Sequence, residues 1–283
     1  MDYVVIVTLL YFSCAPHCLT SVESIGVAIN VKTEEKYAMW YTDPGEFYGL
    51  QADISIWGSP NIGPSQQSGA ALQVNCIEGG QYKTIVVGFQ VAPALYHNKD
   101  VRFFTYWTTT GGGESKGCYD LDCAGYVPAS EAVLSPGQAV APPSKYGEAA
   151  RQVTLSLNKD PSSGDWLLYR HQRKLRTPSF LGHFPGDICS NTPRTVAWLG
   201  FVNYPWNTQG PPMGSGHFPE NDDKKSAYFM NIKLYDAEGH VVEPVFRWVP
   251  LVDRPQCYNE SDVFFRDRGG YMFYYGGPSG CIG

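Results

Sequence analysis

The stretch Val153–Tyr169, VTLSLNKDPSSGDWLLY, decides the architecture. Val153, Leu155 and Leu157 recur at every second position, so they share one face of a strand while Thr154 and Ser156 take the other. Lys159-Asp160-Pro161-Ser162-Ser163-Gly164-Asp165 is a run of turn formers: proline fixes φ, glycine supplies positive φ, and aspartate and serine bond back to the backbone. Trp166–Tyr169 then resumes a segment rich in β-formers. Strand, turn and strand read as an antiparallel hairpin.

The same grammar extends outward. Ala52, Ile54 and Ile56 alternate, and Phe229, Asn231, Lys233 and Tyr235 alternate against Met230, Ile232 and Leu234. Thr84–Val91 and Thr195–Val202 are nearly continuous apolar runs, expected of central strands covered on both faces. Helix signals are confined to short turns at Ser179–Cys189 and Asp222–Ala227. The 283 residues hold 30 Gly, 21 Pro, 19 Tyr and 7 Trp with only 17% charged, a balance that suits many strands joined by tight turns. Ser135–Lys145, SPGQAVAPPSK, reads as an ordered loop, because strands of like composition resume on both sides. The expectation is an all-β, single-domain antiparallel β-sandwich with very little helix, spanning residues 21–283.

Residues 1–20 carry an apolar core from Tyr3 to Phe12 followed by small residues, which reads as a signal peptide for a secreted, extracellular or cell-wall protein. Of eight cysteines, Cys14 and Cys18 leave with that segment, and the six remaining suit an oxidising compartment. Six cysteines allow fifteen pairings. Cys118 and Cys123 are close enough to staple one turn, Cys257 with Cys281 would tie down the C-terminal segment, and Cys76 with Cys189 is the least determined pair. No second close pair of Cys or His completes a zinc site, so no metal or cofactor is expected. Asn259-Glu260-Ser261 is an N-glycosylation sequon, which makes a glycoprotein the expectation. A net charge of −6 argues against nucleic acid and anionic membrane surfaces as partners.

Several words of the sequence, in one order, carry a family resemblance. Tyr48-Gly49-Leu50-Gln51-Ala52 with Trp57 resembles a YGxxA…W opening. Gly88-Phe89-Gln90-Val91-Ala92-Pro93 with Leu95-Tyr96 resembles GWQVxPxLY, and Phe104–Val127, FTYWTTTGGGESKGCYDLDCAGYV, resembles YWT…GCYNLxCPGFV. Lys159-Asp160-Pro161 with Gly164-Asp165-Trp166 resembles KDPxxGNWW. Met213–Phe218 is MGSGHF, and Tyr274-Tyr275-Gly276-Gly277-Pro278 resembles FYYGGPG. These are the words of the neprosin family, secreted plant glutamic endopeptidases that cleave near proline.

Two departures bear on chemistry. The resemblance places one family catalytic glutamate at Val86, two residues before Gly88, and the other at Phe201, closing Trp198-Leu199-Gly200-Phe201 where the family has WGGE. Acid peptide hydrolysis needs one carboxyl to activate water and a second to donate a proton or stabilise the oxyanion, and each role is worth roughly 10²–10⁴ in rate. Valine and phenylalanine supply neither. The resemblance therefore implies a pseudoenzyme: a peptide- or wall-polymer-binding module whose cleft candidates are Gln73, Gln90, Tyr106, Trp107, Ser215 and His217. An extended, proline-rich peptide is the expected partner. The basic run Arg170–Arg176 offers a contact for an acidic wall polymer. Ser215, His217 and Glu220 lack the GxSxG context of a hydrolase triad. The alternative is an active acid endopeptidase using other acids, such as Glu78 or Asp100.

Overall fold

The hairpin forms around Asp160, whose Oδ1 accepts the backbone N–H groups of Ser162 (2.7 Å) and Ser163 (2.9 Å) while Gly164 takes φ +79°. A computed structural model describes residues 32–111, 114–172, 175–190, 194–242 and 248–282. The expected signal peptide at 1–20 lies outside the described residues, as do Arg173 and Lys174 of the basic run.

Two antiparallel sheets make up the chain. The seven-stranded sheet runs β14 (Trp248–Val252), β1 (Thr33–Thr42), β11 (Arg194–Pro205), β3 (Gln67–Glu78), β4 (Gln81–Val91), β5 (Arg102–Gly111) and β6 (Glu114–Tyr119). The ten-stranded sheet runs β15 (Asn259–Glu260), β17 (Gly270–Gly276), β12 (Ala227–Tyr235), β2 (Gly49–Ser55), β8 (Gln152–Lys159), β9 (Trp166–His171), β10 (Ser179–Phe184) and β7 (Val127–Pro128). Here β13 (Val241–Val242) lies beside β12, and β16 (Phe264–Arg266) beside β17. The alternating sets meet between the layers: Leu50, Ala52, Ile54, Leu155 and Leu157 from one sheet, Leu72, Val74, Ile85, Val87 and Trp198 from the other. The apolar runs become β4 and β11, both interior strands of their sheet. The Ser135–Lys145 segment is an ordered loop, bridged at Arg102↔Ala139 and Trp57↔Ser144.

Cys76 of β3 pairs with Cys189, whose carbonyl accepts the Trp166 indole N–H from β9 (3.0 Å), so this bridge couples the two sheets. Cys118–Cys123 and Cys257–Cys281 are the other two bridges. Loop-closure entropy over five residues gives the Cys118–Cys123 staple about 2 kcal/mol. Converting both to serine should lower the unfolding free energy read from urea melts by that amount, and an unchanged midpoint would mean the β5–β6 pairing alone holds this turn.

Three local expectations need correction. Ser179–Phe184 is not a helical turn but strand β10, paired with β9 through a register shift at Phe180/Gly182, and only Gly186–Ile188 closes a 3₁₀ turn. The simple alternation of β12 also fails. Asn231 sits at φ +54° in a bulge, so Phe229, Ile232 and Leu234 reach the core together while Met230 packs with Tyr228, Met272 and Tyr274 in a separate cluster. Finally, the four-residue helix Pro93–Tyr96 is too short for any periodicity to announce it. Asp222 does accept Lys225 N and Ser226 N in a single turn before β12.

Candidate functional site

Side chains that alternate with the core set lie on the other face of the seven-stranded sheet, and there they build a second apolar cluster. It contains Tyr37, Met39, Ala71, Val86, Phe104, Tyr106, Ala197, Leu199 and Phe201. Strand register explains the grouping: Tyr37 opposes Phe201, Phe201 opposes Gly69, Gln73 opposes Val86, and Val86 opposes Tyr106. Directly opposed residues of an antiparallel pair share a face.

Val86 and Phe201 are 3% and 5% exposed, so both positions are floor rather than rim. The Phe201 ring lies over Gly69, where an added Cβ would come 2.6 Å from Phe201 Cζ. Its edge meets the Phe104 ring at 6.0 Å between centroids and 69° between planes, a favourable aromatic arrangement. Tyr119 packs beside them, 4.5 Å from Tyr106 and 6.3 Å from Phe104. An aromatic patch therefore paves the face.

Polar groups border this patch. Gln73 Nε2 donates to Asn75 Oδ1 (2.9 Å), which also accepts Thr84 Oγ1–H (2.9 Å), while Asn75 Nδ2 donates to Thr195 Oγ1 (3.2 Å). Gln90, 1% exposed, donates to the Tyr96 hydroxyl at 3.2 Å. The side-chain carbonyl oxygens of Gln73 and Gln90 are buried and have no hydrogen-bond partner among the described residues. Such oxygens cost free energy unless a donor reaches them.

Two carboxylates stand nearby. Glu35, on β1, accepts the Tyr37 hydroxyl (2.7 Å) and Asn203 Nδ2 (3.4 Å). Burial raises the phenols of Tyr37, Tyr106 and Tyr119, and the charge of Glu35 adds to each. Asp120 accepts Thr105 N (3.0 Å) and the Tyr96 hydroxyl (2.8 Å). Burial pushes Asp120 up to about 6, with both hydrogen bonds pulling it back. Replacing Tyr96 by phenylalanine removes one of those bonds and should raise Asp120 further. A carboxyl titration by NMR reads this, and a fall would contradict the assignment.

Of the residues singled out in the sequence, Gln73, Gln90 and Tyr106 join Val86 and Phe201 on this face. Trp107 does not: it alternates with Tyr106, packs against the sandwich core, and lies against the Gly125 backbone. Ser215 and His217 lie in the turn held by Met213 N→Gly277 O (3.0 Å). Ser215 Oγ has no partner among the described residues and the His217 ring stacks on Tyr146 at 4.2 Å, so no triad assembles. Glu78 is tied to Lys83 (2.8 Å) and Ser190, and Asp100 sits 3.6 Å from Arg102; neither belongs to the paved face. Glu35 was not singled out, although its two-residue spacing from Tyr37 and Met39 carries the signal. Asp120 opens the turn directly after β6, at φ +50°, and carries no periodic signal.

For metal, the described residues offer Asp236, Glu238 and His240, with ligand atoms within 4.8 Å of one another. Asp236 Oδ1 already accepts Glu238 N (3.1 Å) and His240 N (2.7 Å), and this tight turn accounts for their proximity.

Among solved structures, the chain is similar in shape to scytalido-glutamic peptidase with a peptide-based transition-state analogue, at 8% identity and TM-score 0.42, covering 86% of this chain and 98% of that one. It is similar too to SCP-B, a member of the eqolisin family of peptidases in complex with the tripeptide Ala-Ile-His, at 7% identity, TM-score 0.42 and the same coverages. Neither likeness bears on chemistry. A model of the Neprosin family matches residues 64–278, which is well over half of the chain and runs from β3 through β17. On that match, the chain belongs to the Neprosin family.

Proposed function

We propose that this chain is a secreted Neprosin-family protein without peptidase activity that holds an extended peptide on the paved face of its seven-stranded sheet. The observation that carries the reading is the joint state of Val86 and Phe201. The family resemblance assigns catalytic carboxyls to these positions, and both hold apolar side chains packed into one cluster. Without an acid at either position, neither water activation nor proton donation is available there.

The same face suits a peptide. The side-chain oxygens of Gln73 and Gln90 lack donors among the described residues, and a peptide backbone supplies N–H groups in series. Tyr41 and Tyr119, only partly buried where they pack against the cluster, offer ring faces for proline, whose fixed φ lowers the entropy cost of binding in an extended form. Isothermal titration with proline-rich and proline-free peptides of equal length tests this. Saturable binding of the former, weakened about 2–12-fold by Gln73→Ala, is expected from the loss of one hydrogen bond. Absence of binding to either would remove the peptide reading and favour a wall or storage glycoprotein with no specific ligand.

The rival reading, an active acid endopeptidase, has one observation in its favour: Glu35 and Asp120 both border this face, where burial pushes Asp120 up to about 6. Turnover abolished by Glu35→Gln or Asp120→Asn would establish it.

A further inference from the structure

The three disulfide bridges differ in how solvent meets them. Cys76 and Cys189 are both buried, and buried Cys257 is joined to Cys281, which packs partly buried against the sandwich core. Cys118–Cys123 stands apart: Cys118 is buried, but Cys123 is exposed, and so are its neighbours Leu121, Asp122 and Ala124. It also closes the shortest loop, with a sequence separation of 5 against 24 and 113. A bridge over so short a loop constrains the unfolded chain least, so the fold persists without it. The loop is attached to the paved face. Tyr119, beside Cys118, packs on Tyr106 and Phe104. Asp120 follows at φ +50°, a region that few residues other than glycine enter. Its N–H donates to the Thr105 carbonyl (2.8 Å) and its Oδ1 accepts the Thr105 N–H (3.0 Å), which docks the turn on β5.

We propose that Cys118–Cys123 is a redox modification site. An external dithiol opens it in the folded protein while the other two bridges stay closed, and its state sets how firmly the 119–122 turn is held against the paved face. Access decides the order, because thiol–disulfide exchange needs a thiolate to reach a sulfur, and exposed bridges are the labile ones. Attack begins at the exposed residue. A thiolate of the reductant bonds to Cys123 Sγ, the Cys118–Cys123 bond breaks, and Cys118 leaves as a thiolate that takes up a proton. The reductant's second thiolate then displaces Cys123, which is protonated in turn. Two electrons pass from the dithiol to the bridge, and the dithiol ends as a cyclic disulfide. Loss of a closure over a separation of 5 lets the turn open up to roughly 30-fold more often. Nothing in this step needs a bound peptide, so it stands apart from the peptide reading.

The other two bridges serve as internal controls. In the folded full-length chain, stepwise dithiothreitol followed by iodoacetamide and peptide mass spectrometry should label Cys118 and Cys123 first. Cys76, Cys189, Cys257 and Cys281 should be labelled only after urea is added. Hydrogen exchange at the Thr105 and Asp120 amides should then quicken by up to roughly 30-fold and return to its starting rate on reoxidation. The double variant Cys118→Ser, Cys123→Ser should exchange at these amides as the reduced protein does. Joint opening of all three bridges, or opening of Cys257–Cys281 first, would overturn the proposal. So would exchange at Thr105 and Asp120 that reduction leaves unchanged.

Discussion

Phe201→Glu is expected to lower the unfolding free energy at pH 7 by at least the roughly 3–5 kcal/mol typical of deleting a buried phenylalanine. The ring is 5% exposed, rests on Gly69 and meets Phe104 edge-on, so its removal leaves a void over a glycine that has no side chain to fill it. The introduced carboxyl adds a second cost, because Tyr37, Met39 and Leu199 give it an apolar neighbourhood and desolvation disfavours its charged form. Its folded pKa should therefore lie above the usual 4.3, which makes the charge penalty absent at low pH and growing as pH rises. Val86→Glu shares the second term with a smaller first one. Urea melts at pH 4 and pH 7 read both. Wild-type stability for Phe201→Glu at pH 7 would mean the position faces water and the face is an open cleft.

Wild-type stability itself should fall as pH rises toward 8, and Glu260 should account for most of the fall above pH 6.5. Burial is the main cause that lifts Glu260 from 4.5 to about 8, with the charge of Asp253 adding to it, and one Glu260 oxygen is buried without a partner among the described residues. Asp253 is itself raised, by burial first and then by Glu34, against the Tyr37 N–H and Lys36 that pull it down. The sign follows from proton counting. Below 4.5 Glu260 is protonated folded or unfolded, whereas between 4.5 and 8 the unfolded chain has released a proton that the folded chain keeps. Asp120, raised to about 6, acts in the same sense. His171, lowered by burial and by Lys233, opposes both, but only below its ordinary 6.5, and Lys159, lowered by burial to about 8, opposes them only as pH approaches 8. Glu260 is partly exposed, so solvent screening reduces its share. Glu260→Gln should flatten melting temperature between pH 6.5 and 8. An equally steep decline in that variant would assign the slope elsewhere.

The strand grammar was legible because burial on one face leaves a period of two, as in Val153, Leu155 and Leu157. It failed where backbone geometry interrupts the period. Asn231 at φ +54° inserts a bulge that no alternation foretells, and Gly182 at φ +145° kinks a strand that reads as a turn. Site residues divide the same way. Gln73, Gln90 and Tyr106 fall on the face of Val86 because their strands are adjacent and in register. Trp107 looks as suited as Tyr106 in sequence, yet one residue's offset turns it to the core. Glu35 belongs to a strand far from the family words, and only β1–β11 pairing brings it beside Phe201.

The proposed lack of peptidase activity rests on the apolar side chains of Val86 and Phe201, where the family resemblance places the catalytic carboxyls. It is tested most directly by incubating the purified wild-type protein with proline-containing peptides across pH 3–6 and following cleavage by mass spectrometry. The account predicts no cleavage above buffer. Turnover that is abolished when a single carboxylate, such as Glu35 or Asp120, is replaced by its amide would contradict it.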